Sequence, residues 1–156
     1  MEILFLDTSA LVKCYVLEPG TPYMRHATAG GGAALVVVAS IAIVECVAAL
    51  ERRVRDGSIS SVDRGTAVAS FEADLRDRYL VLECDAAVIR GACQLVARHP
   101  LRAYDAVQLA VARQAFSLCS PTERTQMVFL SSDADLNAAA AAEGLAVRDP
   151  SVAVAK

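Results

Sequence analysis

The stretch VVVASIAIVECVAALERR, residues 36–53, is almost wholly apolar, yet it carries a glutamate, Glu45, near its middle. Read as one helix, residues 33–50 are long enough to cross a bilayer. A charge at the centre of such a span costs about 2.5–3.5 kcal/mol on insertion scales. The run also changes character halfway. Val36, Val37 and Val38 are β-branched and suit a short strand. Ser40, a good helix cap, comes next and is followed by Ala-rich sequence. The stretch therefore reads as strand, cap and helix, with no membrane span. A carboxylate inside that helix is costly unless something pairs with it, so Glu45 asks for partners elsewhere in the chain.

Working outward, ILFL (3–6) is a second continuous apolar run, closed by Asp7, and reads as a strand buried on both faces. TSALVKCYV after it reads as a helix, broken by EPGTP (18–22). A further helix or loop leads to AGGGA (29–33), a flexible joint with no Lys-Ser/Thr after it and hence not a phosphate loop. The Glu45 helix ends at Asp56-Gly57. Residues 60–78 form a helix capped by Ser60 or Ser61, and YLVLE (79–83) is a third strand. DAAVIRGACQLVARH is a helix stopped by Pro100, and RAYDAVQLAVARQAF is another. CSPTERTQ reads as a loop and MVFLS (127–131) as a strand. A helix over ADLNAAAAAEG and a short last strand in LAVRDP complete the chain. Strands alternating with helices, the early ones continuous in hydrophobicity, predict an α/β fold with a parallel sheet between helices. There is no internal repeat, and residues 1–156 read as one domain.

The composition agrees. The chain has 156 residues, 55% hydrophobic and 21% charged, which excludes a disordered chain. The formal charge of −3 and pI near 5.3 give no basic footprint for nucleic acid at the level of the whole chain. Five cysteines at irregular spacing, with no C-x-x-C, suggest buried reduced thiols in a cytoplasmic protein. The opening MEILFLD lacks the basic start and cleavage site of a signal peptide. His26 and His99 match the spacing of no candidate site and are expected to face solvent.

Four carboxylates fall where an open parallel sheet gathers ligands, at the carboxyl ends of strands. Asp7 ends the first strand and Glu45 lies on the helix leaving the second. Asp133 follows the fourth strand, and Asp105 opens the helix after HPLR. Each has an ordinary reading of its own. Asp7 suits a turn, Glu45 a satisfied core carboxylate, and Asp133 a helix cap. Asp105 is placed to pair with Arg102, three residues earlier. Together they are expected to converge. Two carboxylates about 4 Å apart repel by roughly 4 kcal/mol at an effective dielectric of 20, and no His or Lys stands in these motifs to neutralise them. A hard divalent cation, Mg²⁺ or Mn²⁺, suits such an oxygen-only set better than zinc does. It would point to metal-assisted attack of water on a phosphodiester. Arg52, Arg53 and Arg55, at the end of the Glu45 helix, either line a path for a phosphodiester substrate or simply complement the helix terminus.

ILFLDTSALVK, SIAIVE, LRAYDAVQLAVA and FLSSDADLNAAAAAEGL, in that order, resemble the PIN domain, and most closely the VapC-type toxins of bacterial toxin–antitoxin pairs. The resemblance runs from the first strand almost to the end. It implies a PIN-like three-layer sandwich with a five-stranded parallel sheet. It also implies a Mg²⁺- or Mn²⁺-dependent endoribonuclease, usually a homodimer, held inactive by a cognate antitoxin protein. By this resemblance the catalytic metal ligands are Asp7, Glu45, Asp105 and Asp133. Ser9 is expected to bond a site carboxylate or a metal water, Ser131 stands where many relatives have threonine, and Arg102 supports the site. Asp135 is the reserve for Asp133. Two rivals are weighed against this. A phosphohydrolase of the haloacid-dehalogenase type wants an acid two residues after the first, where this chain has Ser9. A non-catalytic PIN-like module would dock RNA or protein without cutting.

Overall fold

The computed structural model describes residues 1–29 and 34–152. The glycine joint read at 29–33 lies, beyond Ala29, outside the described residues. Five strands form one sheet: β1 (Glu2–Leu6), β2 (Ala34–Ala39), β3 (Tyr79–Leu82), β4 (Met127–Leu130) and β5 (Ala146–Arg148). Their order is β3-β2-β1-β4-β5, and every pairing is parallel. The helices are α1 (Thr8–Leu11), α2 (Thr21–Ala27), α3 (Ile41–Arg55), α4 (Ser61–Asp77), α5 (Ala86–Arg98), α6 (Ala103–Leu118), α7 (Pro121–Arg124) and α8 (Ala134–Ala142).

Successive strand residues point to opposite faces, and each face has its own core. Ile3, Phe5, Val37, Met127 and Phe129 pack on Val88 and Leu95 of α5, Leu109 of α6 and Leu136 of α8. Phe5 and Phe129 stack across β1 and β4 with centroids 5.6 Å apart. Leu4, Leu6, Val36, Val38 and Leu130 pack on Leu11, Met24, Cys46, Leu50 and Phe71. A fully buried Leu or Phe contributes about 1.5–3 kcal/mol, so continuous apolar strands are what a sheet covered on both sides requires. The result is the three-layer α/β sandwich that the alternation of elements implies.

α3 buries Ala42, Cys46 and Leu50, four residues apart, on one stripe. It ends as read. Gly57 adopts φ +79°, its N–H bonds Val54 O, and that of Ser58 bonds Arg53 O. This 6→1 and 5→2 closure needs the left-handed residue. Its start differs from expectation. Ser40 makes no side-chain cap. Its Oγ instead accepts the N–H of Cys84, while its own N–H bonds Leu82 O, so it ties β2 to the end of β3.

Other differences are local. The helix after β1 gives way to a 3-10 turn at Val12–Cys14, a common ending for short helices. The segment read as a loop at 119–126 contains α7, a single turn closed by a Ser120–Glu123 capping box. Among the cysteines only Cys46 is buried and Cys93 is exposed. His99 does not face solvent: its Nε2 lies 2.7 Å from Glu143, whose carboxylate also pairs with Arg98 and Arg113. Among the described residues, no helix is long and apolar enough to cross a membrane.

Candidate active site

β1 is the central strand, with the chain leaving it to β2 on one side and β4 arriving on the other. A crevice opens where connections diverge in this way, outside the carboxyl ends of the strands. Asp7, Glu45, Asp105 and Asp133 all line one cleft there. Asp135 does not line it and is exposed.

Asp7 is 4% exposed and caps α1. Its Oδ2 accepts the Ser9 N–H at 3.1 Å, the Ser9 hydroxyl at 2.7 Å and the Ser131 hydroxyl at 3.1 Å. Those hydroxyls in turn accept the N–H groups of Ser132 and Asp133. The loop after β4 is therefore fastened to Asp7 through two serines. Burial pushes the Asp7 carboxyl above its usual range. The serine hydrogen bonds oppose that, and the charge of Glu45 adds to it.

Glu45 lies three residues after Ala42 on α3, at the edge of the buried stripe. Its Oε2 accepts the Thr8 hydroxyl at 2.8 Å and the Gln108 amide at 2.7 Å. This is how an acid is accommodated within the apolar stretch: α1 and α6 each bring it a donor. Asp133 caps α8 with Oδ1 on the Leu136 N–H, so the cap reading and the cleft placement hold together. Asp105 sits in the first turn of α6, where negative charge is favoured. Its carboxyl is nonetheless pushed up to about 6, first by burial and then by the charges of Asp7, Asp133 and Glu45, with Arg102 opposing.

Each acid thus presents at least one oxygen to which no side chain or N–H of the described residues donates. Among the described residues, no three carboxylates already stand close enough to hold an ion. The donors fit one by chemistry. They are all oxygens, no His or Cys lines the cleft, and their mutual repulsion is what a hard divalent cation relieves.

Three features of the cleft were not read from the sequence. Thr8 and Gln108 hold Glu45; a glutamine within the apolar run of α6 was the only signal. Tyr104, 57% exposed, stands at the rim. Lys13, to which the sequence reading gave no part in neutralising the acids, lines the wall. It is 6% exposed, and its charge is taken by Glu18 at 2.9 Å, to which Arg53 is also paired. Arg52 lines the cleft and Arg55 does not. Arg102 lines it as well, but forms no ion pair with Asp105 among the described residues.

The family model for the PIN domain matches residues 4–142. In fold the chain is similar to VapC20 of Mycobacterium tuberculosis, a toxin that cleaves the sarcin–ricin loop; the TM-score is 0.64 at 19% identity, covering 91% of this chain and 95% of that one. It is similar to FitAcB of Neisseria gonorrhoeae, with TM-score 0.59 at 16% identity over 96% and 99% of the two chains. VapBC2 of Rickettsia felis, solved with a fragment of promoter DNA, gives TM-score 0.58 at 10% identity over 94% and 98%. At these identities the likeness is one of fold. No curated protein is similar enough in sequence to match the chain.

Proposed function

The chain belongs to the PIN domain family, and we propose that it is a divalent-metal-dependent endoribonuclease, the toxin of a VapBC-type toxin–antitoxin pair. In this reading it works in the cytoplasm as a homodimer and is held in check by a cognate antitoxin protein. The observation that carries the reading is the meeting of Asp7, Glu45, Asp105 and Asp133 in one cleft, each with an oxygen left over for a cation.

Asp7, Glu45 and Asp105 would hold a Mg²⁺ or Mn²⁺ ion, with Asp133 binding it through water or helping a second. When bound, the cation supplies Lewis-acid polarisation of the scissile phosphate and acidifies a water. The chain's own residues do the rest. Ser9 and Ser131 fix Asp7 by occupying its Oδ2. Glu45 or Asp133 orients the attacking water through a free carboxylate oxygen. Arg102 and Arg52 at the cleft offer bidentate donors to the phosphates on either side of the cut. Tyr104 offers an exposed ring on which a base can stack.

The test uses total cellular RNA incubated with wild type and with Asp7→Asn protein, each with Mg²⁺, Mn²⁺ or EDTA, followed by mapping of new 5′ ends. The expected result is a small set of new ends that need metal and vanish in the variant. Folded, partner-free wild type that binds Mn²⁺ and RNA yet produces no new ends would replace the nuclease reading with that of a binding module.

A further inference from the structure

We propose that Gln108 is a positioning residue for Glu45: with Thr8 it grips one oxygen of that carboxylate and so turns the other toward the cleft. This rests on the metal-dependent reading above and adds to it a part of the machinery that lies behind the acids.

Gln108 is completely buried and does not line the cleft, so it stands behind the acids and would act through Glu45. It lies three residues after Asp105, one turn along α6. Its Nε2 donates to Glu45 Oε2 at 2.7 Å and to Thr8 Oγ1 at 3.0 Å. Thr8 spends its own hydroxyl hydrogen on the same Oε2, at 2.8 Å. The three side chains form a closed triangle from α1, α3 and α6, joining residues 37, 63 and 100 positions apart. Both donors fall on Oε2. Glu45 Oε1 receives none from the described residues, as Asp7 Oδ1 receives none.

The amide has no freedom to face the other way. A carboxylate oxygen only accepts, so the NH₂ end must meet it. That choice leaves Gln108 Oε1 buried with no hydrogen-bond partner among the described residues. A buried carbonyl without a partner is destabilising. The flanking buried residues Ala106, Leu109, Ala110, Val111 and Ala112 are all apolar. A methionine would fill the same space with no orphaned atom. As a packing residue, glutamine is therefore a poor choice at this position. As a holder of Glu45 it has a reason to be there, because outer residues that orient ligands control metal affinity as the ligands themselves do.

The test compares Gln108→Met, Thr8→Val and Thr8→Ser with wild type, using the full chain purified free of any partner. Mn²⁺ binding is followed by electron paramagnetic resonance of the free ion, RNA affinity is measured in EDTA, and cleavage is measured in single turnover. Gln108→Met and Thr8→Val are expected to weaken Mn²⁺ binding by about tenfold or more and to slow cleavage, with RNA affinity in EDTA unchanged. Thr8→Ser keeps the hydroxyl and should behave as wild type. In a Glu45→Gln background Gln108→Met should cause no further loss, since it acts through Glu45. Wild-type Mn²⁺ affinity in the folded Gln108→Met or Thr8→Val protein overturns the proposal, and so does an additive loss in the Glu45→Gln background. Should Gln108→Met fail to fold, the Thr8→Val and Thr8→Ser pair decides alone. Wild type that neither takes up Mn²⁺ nor cuts RNA removes the metal reading itself and the proposal with it. Wild type that binds while the variants bind equally removes only the role of Gln108.

Discussion

Replacing Asp105 by asparagine should make the metal-free protein more stable while destroying its proposed chemistry. Burial and three neighbouring carboxylates raise the Asp105 carboxyl from 3.8 to about 6 in the folded state. Without solvent screening, that rise corresponds to about 3 kcal/mol of destabilisation once the group is ionised. Water reaches this half-open cleft and screens the charges, so the penalty is about 1 kcal/mol. Below pH 3.8 the group is protonated both folded and unfolded, and the penalty is absent. Between pH 3.8 and about 6 the folded chain holds the proton better, and stability falls as pH rises. Above that the penalty is constant. Thermal melts in EDTA at pH 7.5 should therefore place Asp105→Asn above wild type by roughly 2–4 °C, and the gap should close near pH 3.5. Adding Mn²⁺ at pH 7.5 should raise wild type more than the variant. A variant that melts at or below wild type at pH 7.5 in EDTA would refute the reasoning, as would a gap that persists undiminished in acid.

Three further outcomes are expected. Arg52 is exposed, lines the cleft and has no ion pair among the described residues, so Arg52→Glu should weaken RNA binding and lower its salt slope by about 1; an unchanged slope would leave Arg52 as a solvated helix end. Glu143 accepts His99 and pairs with Arg98 and Arg113, joining α5 and α6 to the residue after α8. Glu143→Ala should cost about 1–3 kcal/mol in denaturant titrations near neutral pH. Because these partners hold the Glu143 carboxyl below 4.5, that contribution is full above this pH and fades as acid protonates it. Gly20 adopts φ +94°, and an added Cβ would lie 2.5 Å from the Pro150 carbonyl oxygen. Gly20→Ala should therefore lower the urea midpoint by the equivalent of about 1 kcal/mol or more.

The sheet was legible because β1, β2 and β4 are continuous apolar runs ended by recognisable signals, and because helices fill the intervals. The four acids were legible because each interrupts or adjoins apolar sequence at a strand end or a helix start. What escaped reading depends on contacts distant in sequence. Ser40 has the composition of a cap, but the nearer demand is the free N–H of Cys84, 44 residues later. His99 looks solvated until α8 brings Glu143 to it. Lys13 carries no signal of burial in its sequence neighbourhood, yet it is buried against Glu18. Gln108 is the polar letter within the apolar run Ala106–Ala112 of α6, and only the fold reveals that its amide meets Glu45. Spacing identifies which residues face one way along an element; it does not tell which residue of another element they meet.

The position of β1 in the sheet bears on synthesis at the ribosome. Its two neighbours are β2, which follows within forty residues, and β4, which begins only at Met127. The acids of the cleft are contributed at positions 7, 45, 105 and 133. A nascent chain can pair β1 with β2 early, but its sheet stays open on the far flank until β4, at Met127–Leu130, has emerged. Such long-range parallel closures form slowly. A growing polypeptide therefore carries Asp7 and Glu45 through a further 88 residues of synthesis before Asp133 arrives to complete the cluster. Any partner that recognises the finished cleft has nothing to recognise before then.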